Sequence, residues 1–340
     1  MKKVNGFFNV VFLSFLILSV ISVGGCSKNG ADKKNNNTIS IVATTFPCYD
    51  AVRAVLGDFA NSDLVELKLL VKPGTEVHSF DPSPADLIAI KKSDLFVFVG
   101  GESDSWVYRI LDAENSDVKT LKLMDFVNVL EIEHHHEHEE ENHEHTENCY
   151  SSENDEKINI HEIDEHIWTS PKNEIKIVNA VFEKLSSLCT EKKLDYLIEE
   201  FNTNAKDYIS QIEEISEEIK SVVDNSSKFI VVADRFPLVY FAQYFGIEYK
   251  AAFSGCSSAI ETSTATISDL IETVKNKNLK AVYYMELGNH KIADTVAESS
   301  GVEGLLLQSV QNVTKDDFEN GETWISLMER NKKALEQGFN

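Results

Sequence analysis

Residues 194–222 read LDYLIEEFNTNAKDYISQIEEISEEIKSV, with apolar side chains at Leu194, Leu197, Phe201, Ala205, Tyr208, Ile212, Ile215, Ile219 and Val222. Steps of three and four throughout are the period of an amphipathic α-helix. The spacing predicts one helix of about thirty residues, ~45 Å long at ~1.5 Å rise per residue, enough to run the height of a two-lobed body. Asn225-Ser226-Ser227 closes it, and a shorter helical series at Val178, Phe182, Leu185 and Leu188 precedes it. On both sides short β-rich runs alternate with helical segments, the pattern of an α/β fold. Strands are expected at 39–44, 64–71 and 95–99 before the long helix, and at 229–233, 249–253, 281–285 and 305–308 after it.

The N-terminus supplies an address. Lys2 and Lys3 precede an uncharged stretch from Val4 to Gly25, which ends Val23-Gly24-Gly25-Cys26. A basic start, an apolar run and small residues before a cut site describe a secretory signal peptide. A cysteine at that point resembles a bacterial lipobox, with Cys26 as the lipidated first residue of the mature chain. An uncleaved membrane anchor is the alternative, and either reading tethers the same body outside the cytoplasm. The expected organisation is a signal peptide at 1–25, a polar tether at 26–38 and an N-terminal α/β lobe at 39–172. A helical linker at 173–225 and a C-terminal α/β lobe at 226–340 complete it.

The formal charge of −24 argues against nucleic acid or anionic membrane surfaces as partners. Residues 131–165 hold fourteen acidic residues against the single Lys157, so one stretch carries much of the excess. Inside it, residues 134–146 read HHHEHEEENHEHT. His134, His135, His136, His138, His143 and His145 are interleaved with carboxylates, and such a loop (131–160) cannot build an apolar core but can capture cations. After Cys26, four cysteines remain (Cys48, Cys149, Cys189 and Cys256), without the C-x-x-C spacing of a zinc knuckle. A disulfide is allowed outside the cytoplasm, and sequence does not choose the pair.

Two further segments carry histidines. Residues 72–86 read KPGTEVHSFDPSPAD, a proline- and glycine-stiffened loop after a strand, with a helix start at its end. A histidine there, His78, sits where α/β folds place ligand groups. Residues 164–173 read DEHIWTSPKN, just before a helix, and contain His166. Singly, each histidine fits a hydrogen-bonded surface residue; together, flanking a histidine-rich loop in an exported chain, they favour a shared metal.

These segments, P-G-x-x-x-H-S-F-x-P-S-P-x-D ending at Asp86, H-I-W-x-S-P-x-N at 166–173 and FPLVYFAQYFGIEY at 236–249, resemble the zinc and manganese solute-binding lipoproteins of ABC importers. The resemblance covers essentially the whole mature chain. It implies two Rossmann-like α/β lobes joined by a long rigid backbone helix, with one metal in the cleft between them. It also implies a monomer that hands zinc, or alternatively manganese, to an ABC permease and its ATPase; the histidine-rich loop is typical of zinc members. Some surface lipoproteins of this kind also serve cell adhesion, a second reading. Under the resemblance His78 and His166 match the first two metal ligands. The third position falls on Arg235, which cannot ligate a cation, so Asp234 beside it is the expected substitute. The fourth falls near Gln308, with Glu286 the better carboxylate and Glu76 in reserve. The expected set is therefore His78, His166, Asp234 and Glu286. No H-E-x-x-H motif is present, which speaks against a zinc hydrolase of that type, and a non-enzymatic binding role is expected.

Overall fold

The computed structural model describes residues 38–113, 118–133, 161–253 and 262–340. The signal segment with Cys26 and the tract containing His134, His135, His136, His138, His143 and His145 lie outside the described residues. So do Cys149 and Cys256.

Side-chain alternation in the strands sets the layers. In β1 (Ile39–Ala43), Ile39, Ile41 and Ala43 join the central core, while Val42 joins an outer cluster with Ile90, Phe96, Phe98 and Trp106. The first half continues through α1 (Phe46–Leu56), β2 (Val65–Leu69), α2 (Pro84–Lys92), β3 (Leu95–Phe98), α3 (Ser105–Ala113) and β4 (Thr120–Lys122). Its four strands are parallel, in the order β2-β1-β3-β4. An antiparallel pair follows, β5 (Glu131–Glu133) with β6 (His161–Ile163), whose register pairs the backbone of residue Glu133 with that of His161. The histidine-rich tract is thus inserted between two paired strands, the second running directly into Asp164–His166.

Two helices then cross between the halves: α4 (Pro171–Lys192) and α5 (Ile198–Asp224). A short 3₁₀ turn, Asp195–Leu197, takes the first residues of the expected long helix. The α-helix proper has 27 residues, ~40 Å at ~1.5 Å per residue. Its buried stripe (Phe201, Ala205, Tyr208, Ile212, Ile215, Ile219) is the one the periodicity marks. The second half runs β7 (Phe229–Val232), α6 (Val239–Phe245), β8 (Glu248–Ala251), α7 (Thr264–Asn276), β9 (Ala281–Met285), α8 (Lys291–Ser300), β10 (Glu303–Leu307), α9 (Lys315–Glu319) and α10 (Trp324–Phe339). Its parallel sheet has the order β10-β9-β7-β8. Read from the other edge this is the topology of the first sheet, so the molecule is two doubly wound lobes of one pattern.

The lobes share a core. One apolar cluster runs from Ile39, Phe46 and Trp168 through Ile177, Phe201 and Ile212 to Ile230, Phe241 and Trp324. Polar ties reinforce it. Asp50 of α1 accepts from the Trp324 amide at 2.7 Å and from the Tyr208 hydroxyl at 2.8 Å. Trp324 Nε1 donates to Trp168 O, and Trp168 Nε1 to Ser309 O, both at 2.9 Å. In each sheet the strand order reverses beside the first strand, between β1 and β3 and between β7 and β9. Loops leaving the carboxyl ends of strands around such a reversal form a crevice suited to ligands.

Candidate metal site

The loop after β2 is held rather than left to wander. Gly74, at φ 80°, makes the turn that a residue with a Cβ adopts only with strain. Its amide donates to Val313 O at 2.7 Å, and Asn312 Nδ2 donates to Lys72 O and Thr75 O at 3.0 and 2.8 Å. At its far end Ser83 and Asp86 form a reciprocal capping box, and Pro84 opens α2. Phe80 packs edge-on against Trp106 at 5.7 Å. His78 stands between these anchors, mostly buried.

The second segment is fixed from both lobes. Tyr240 of α6 accepts from the Leu130 amide at 2.8 Å and donates to Asp164 O at 2.9 Å. Asp164 Oδ1 in turn accepts from the His166 amide at 2.8 Å and lies 3.0 Å from His166 Nδ1. A carboxylate only accepts, so it holds the proton on Nδ1 and leaves the metal-binding lone pair on Nε2, the usual arrangement for a metal histidine. His166 is 1% exposed and its ring stands edge-on to Trp168 at 5.3 Å.

His78, Glu165 and His166 each offer a ligand atom within 4.8 Å of the others, and among the described residues this is the one such cluster. The imidazole centroids are 6.1 Å apart. Ser103, on the loop after β3, ties the set together. Its amide donates to Glu165 Oε2 at 2.9 Å, its hydroxyl donates to Glu165 Oε1, and the same oxygen lies 2.8 Å from His78 Nδ1. A hydroxyl has one proton. Given to Glu165, it leaves the oxygen to accept from His78 Nδ1–H, which puts the lone pair on Nε2 here too. Gln311 Nε2 is 3.2 Å from that Nε2. Two neutral imidazoles and one carboxylate form a donor set suited to zinc and other divalent transition metals. Gly101 makes room for it: a Cβ there would stand 2.2 Å from Glu165 Cβ. Beneath, Asp104 accepts from the Val99 and Gly100 amides at 2.8 and 3.0 Å. Burial pushes its carboxyl up to about 7, the two amides oppose this and the charge of Glu165 adds to it.

Opposite lies the second lobe. His78 shares a cleft of about 760 Å³ with Asp234, Arg235, Glu286, Ser309 and Gln311. Asp234, after β7, accepts from the Arg235 amide at 2.8 Å and the Met285 amide at 3.2 Å. Glu286, after β9, accepts from the Ser309 amide at 2.8 Å and from its hydroxyl. Burial raises the Glu286 carboxyl above its ordinary range; the Ser309 donors oppose this, and Asp234 adds to it. Neither carboxylate enters the cluster of His78, Glu165 and His166. Gln308 is buried away from the cleft against Asn331, to which its amide donates at 2.6 Å. Glu76 pairs with Arg235 at 3.7 Å, joining the lobes across the opening. The sequence reading did not single out Glu165, which joins the two histidines in this cluster; the available signal was its place beside His166 on the same loop.

Cys48 and Cys189 are buried free thiols. Burial pushes the Cys48 thiol up to about 12, with Asp104 adding to it, so neither its pKa nor its position suits metal capture.

The zinc-uptake complex component A (ZnuA, periplasmic) family matches residues 41–338. The zinc-binding lipoprotein AdcA of Streptococcus pneumoniae R6 is 30% identical over 344 residues, which cover 99% of this chain and 61% of that protein. The chain thus spans about three fifths of the length of that relative. The high-affinity zinc uptake system protein ZnuA of Bacillus subtilis is 26% identical, with 99% of this chain and 98% of that one covered. Among solved structures, the Zn(II)-bound ZnuA-like domain of S. pneumoniae AdcA superposes with a TM-score of 0.68 at 27% identity, covering 89% of this chain and 99% of that one.

Proposed function

Because the chain belongs to the periplasmic zinc-uptake component A family, we propose that it captures zinc outside the cytoplasm and delivers it to an ABC permease. Binding is its whole chemistry. Zinc enters the cleft, is held by the two histidines and the adjacent carboxylate, and leaves when the protein docks on the transporter. The observation that carries this reading is the convergence of His78, Glu165 and His166 within 4.8 Å beside an interlobe cleft. The AdcA and ZnuA relatives, whose names state zinc binding and zinc uptake, support the choice of metal.

In this reading Glu165 is the third ligand. Asp234 and Glu286 instead hold the loops that present Arg235 and Ser309 to the cleft. The histidine-rich tract enters and leaves through the β5–β6 pair, so metal it collects is released close to His166. That is a gain in local concentration rather than a new affinity in the cleft. Cys26 carries the lipid that keeps the protein at the membrane, and the working unit is a monomer.

The test is competition titration of the purified chain with a chromophoric zinc chelator. His78→Ala and His166→Ala are each expected to weaken the tight site by about 10³-fold or more, ~4 kcal/mol. Wild-type affinity in either variant overturns the assignment.

A further inference from the structure

The second lobe reaches across to hold the loop that leads into His78. That loop, residues 72–76, is largely exposed, so little apolar burial fixes its position. A short segment after β10 holds it instead. Asn312 is 2% exposed, and its Nδ2 gives both protons to the loop, to Lys72 O at 3.0 Å and Thr75 O at 2.8 Å. Its Oδ1 accepts from the Val313 amide at 2.9 Å, and Val313 O accepts from the Gly74 amide at 2.7 Å. The orientation of the side-chain amide is forced, because the two carbonyls only accept and the N–H only donates.

The segment is itself clamped. Gln308 and Asn331 exchange two hydrogen bonds, at 2.6 and 2.9 Å. Ser309 O accepts from Trp168 Nε1 at 2.9 Å. Val310 follows, fully buried at φ 62°, a left-handed backbone that a β-branched residue adopts only under constraint. Immediately after this turn the chain meets the first lobe: Gln311 Nε2 lies 3.2 Å from His78 Nε2, and Asn312 grips the loop.

We propose that Asn312 is a positioning residue for the metal site, a second-lobe side chain that sets where the first-lobe ligand His78 stands. The proposal rests on the zinc-capture reading and adds to it a residue that acts through His78. His78 follows Thr75 by three residues, so an anchor lost at the Thr75 carbonyl is felt at the imidazole. Metal affinity then depends on the spacing of the lobes, because moving the second lobe away withdraws the anchor.

The experiment uses the purified full chain and zinc itself as the probe, with affinity read by competition against chelators of graded strength. Asn312→Ala and Asn312→Asp are each made in the wild-type and His78→Ala backgrounds. In wild type, Asn312→Ala is expected to weaken binding about tenfold, the lower end of the ~10–100-fold range for groups that orient metal ligands. Asn312→Asp should weaken it as well. Its carboxylate would face two carbonyl oxygens, whereas a mere gain of negative charge near the cation would tighten binding. In the His78→Ala background Asn312→Ala should cost less than twofold, since the loop no longer carries a ligand. A general loosening of the fold would weaken both backgrounds alike. Thermal melts of the apo protein show whether each variant is folded; should Asn312→Ala fail to fold, the near-isosteric Asn312→Asp carries the comparison. Variants that bind within twofold of wild type, or that lose the same factor in both backgrounds, overturn the proposal while zinc capture stands. If His78→Ala itself binds like wild type, or wild type retains no tight zinc, the capture reading fails and takes the proposal with it.

Discussion

Replacing Ser103 by alanine removes a hydroxyl that touches two of the three proposed ligands without touching the metal. Its oxygen lies 2.8 Å from His78 Nδ1 and its proton goes to Glu165 Oε1. The Ser103 amide, 2.9 Å from Glu165 Oε2, survives the change. Glu165 therefore keeps one of its two anchors, while His78 loses the acceptor that fixes its tautomer. A hydrogen bond to a charged group contributes about 1.5–3 kcal/mol and a neutral one about 0.5–1.5 kcal/mol. Partial compensation by water in this half-buried spot brings the sum to ~1.4–2.7 kcal/mol. That is a tenfold to hundredfold loss of zinc affinity, the range typical of groups that orient metal ligands. Competition titration measures it, with a thermal melt of the apo protein to show that folding is unaffected. Ser103→Ala binding within twofold of wild type, while His78→Ala is crippled, would refute the tautomer argument.

Glu165→Gln is expected to lower zinc affinity by about a hundredfold, ~2.7 kcal/mol, whereas Asp234→Asn and Glu286→Gln should each cost less than about tenfold; the reverse order in the same titration would return the second-lobe carboxylates to the ligand set. Deleting residues 134–146 should leave the tight site intact and abolish weaker, additional zinc equivalents, as counted by zinc stoichiometry at saturation; loss of the tight site would put the ligands in the tract instead. Glu174 is fully buried and its Oε2 has no hydrogen-bond partner among the described residues, and burial, with Asp50 adding, drives its carboxyl well above the ordinary 4.5. The folded state then binds the proton more tightly than the unfolded chain, so this contribution is complete below 4.5 and is lost as pH rises. Glu174→Gln should accordingly raise the melting temperature, more at pH 8 than at pH 5, and a pH-independent difference would show that the carboxyl is not the cause.

Much of the architecture was legible because burial writes a period into the chain. The stripe from Phe201 to Ile219 is the buried face of α5, and strand 281–285 is observed at its expected bounds. The 3₁₀ turn at Asp195–Leu197 was invisible, since Leu194 and Leu197 keep the apolar spacing whether the backbone is tight or regular. β4 and the β5–β6 pair have three residues each, too few for a period to register. β10 begins at Glu303, two residues before its expected start; Glu303 and Gly304 are poor strand formers, held there by parallel pairing with Ala281 and Val282.

The site was only half legible, for a different reason. His78 and His166 announce themselves because stiff loops with Pro, Gly and buried aromatics surround them. Which carboxylate stands beside the two histidines depends on where three loops meet in space, and Ser103, Gly101 and Tyr240 hold that meeting point. Asp234 and Glu286 were attractive because a strand end in an α/β lobe is the right address, and both do face the cleft. Their oxygens accept from amides of the adjoining turns, at Met285 and Ser309, as those of Glu165 accept from Ser103. Carboxylates that can offset the charge of a divalent cation stand on both sides, Glu165 in the first lobe and Asp234 and Glu286 along the cleft. Glu165 supplies one negative charge from the first lobe. Arg235 on the facing wall pairs with Glu76 at 3.7 Å. Arg235, at the position the resemblance gives to a third ligand, is thus offset by Glu76 and flanked in the cleft by Asp234 and Glu286, so its positive charge does not bar a cation from the histidines.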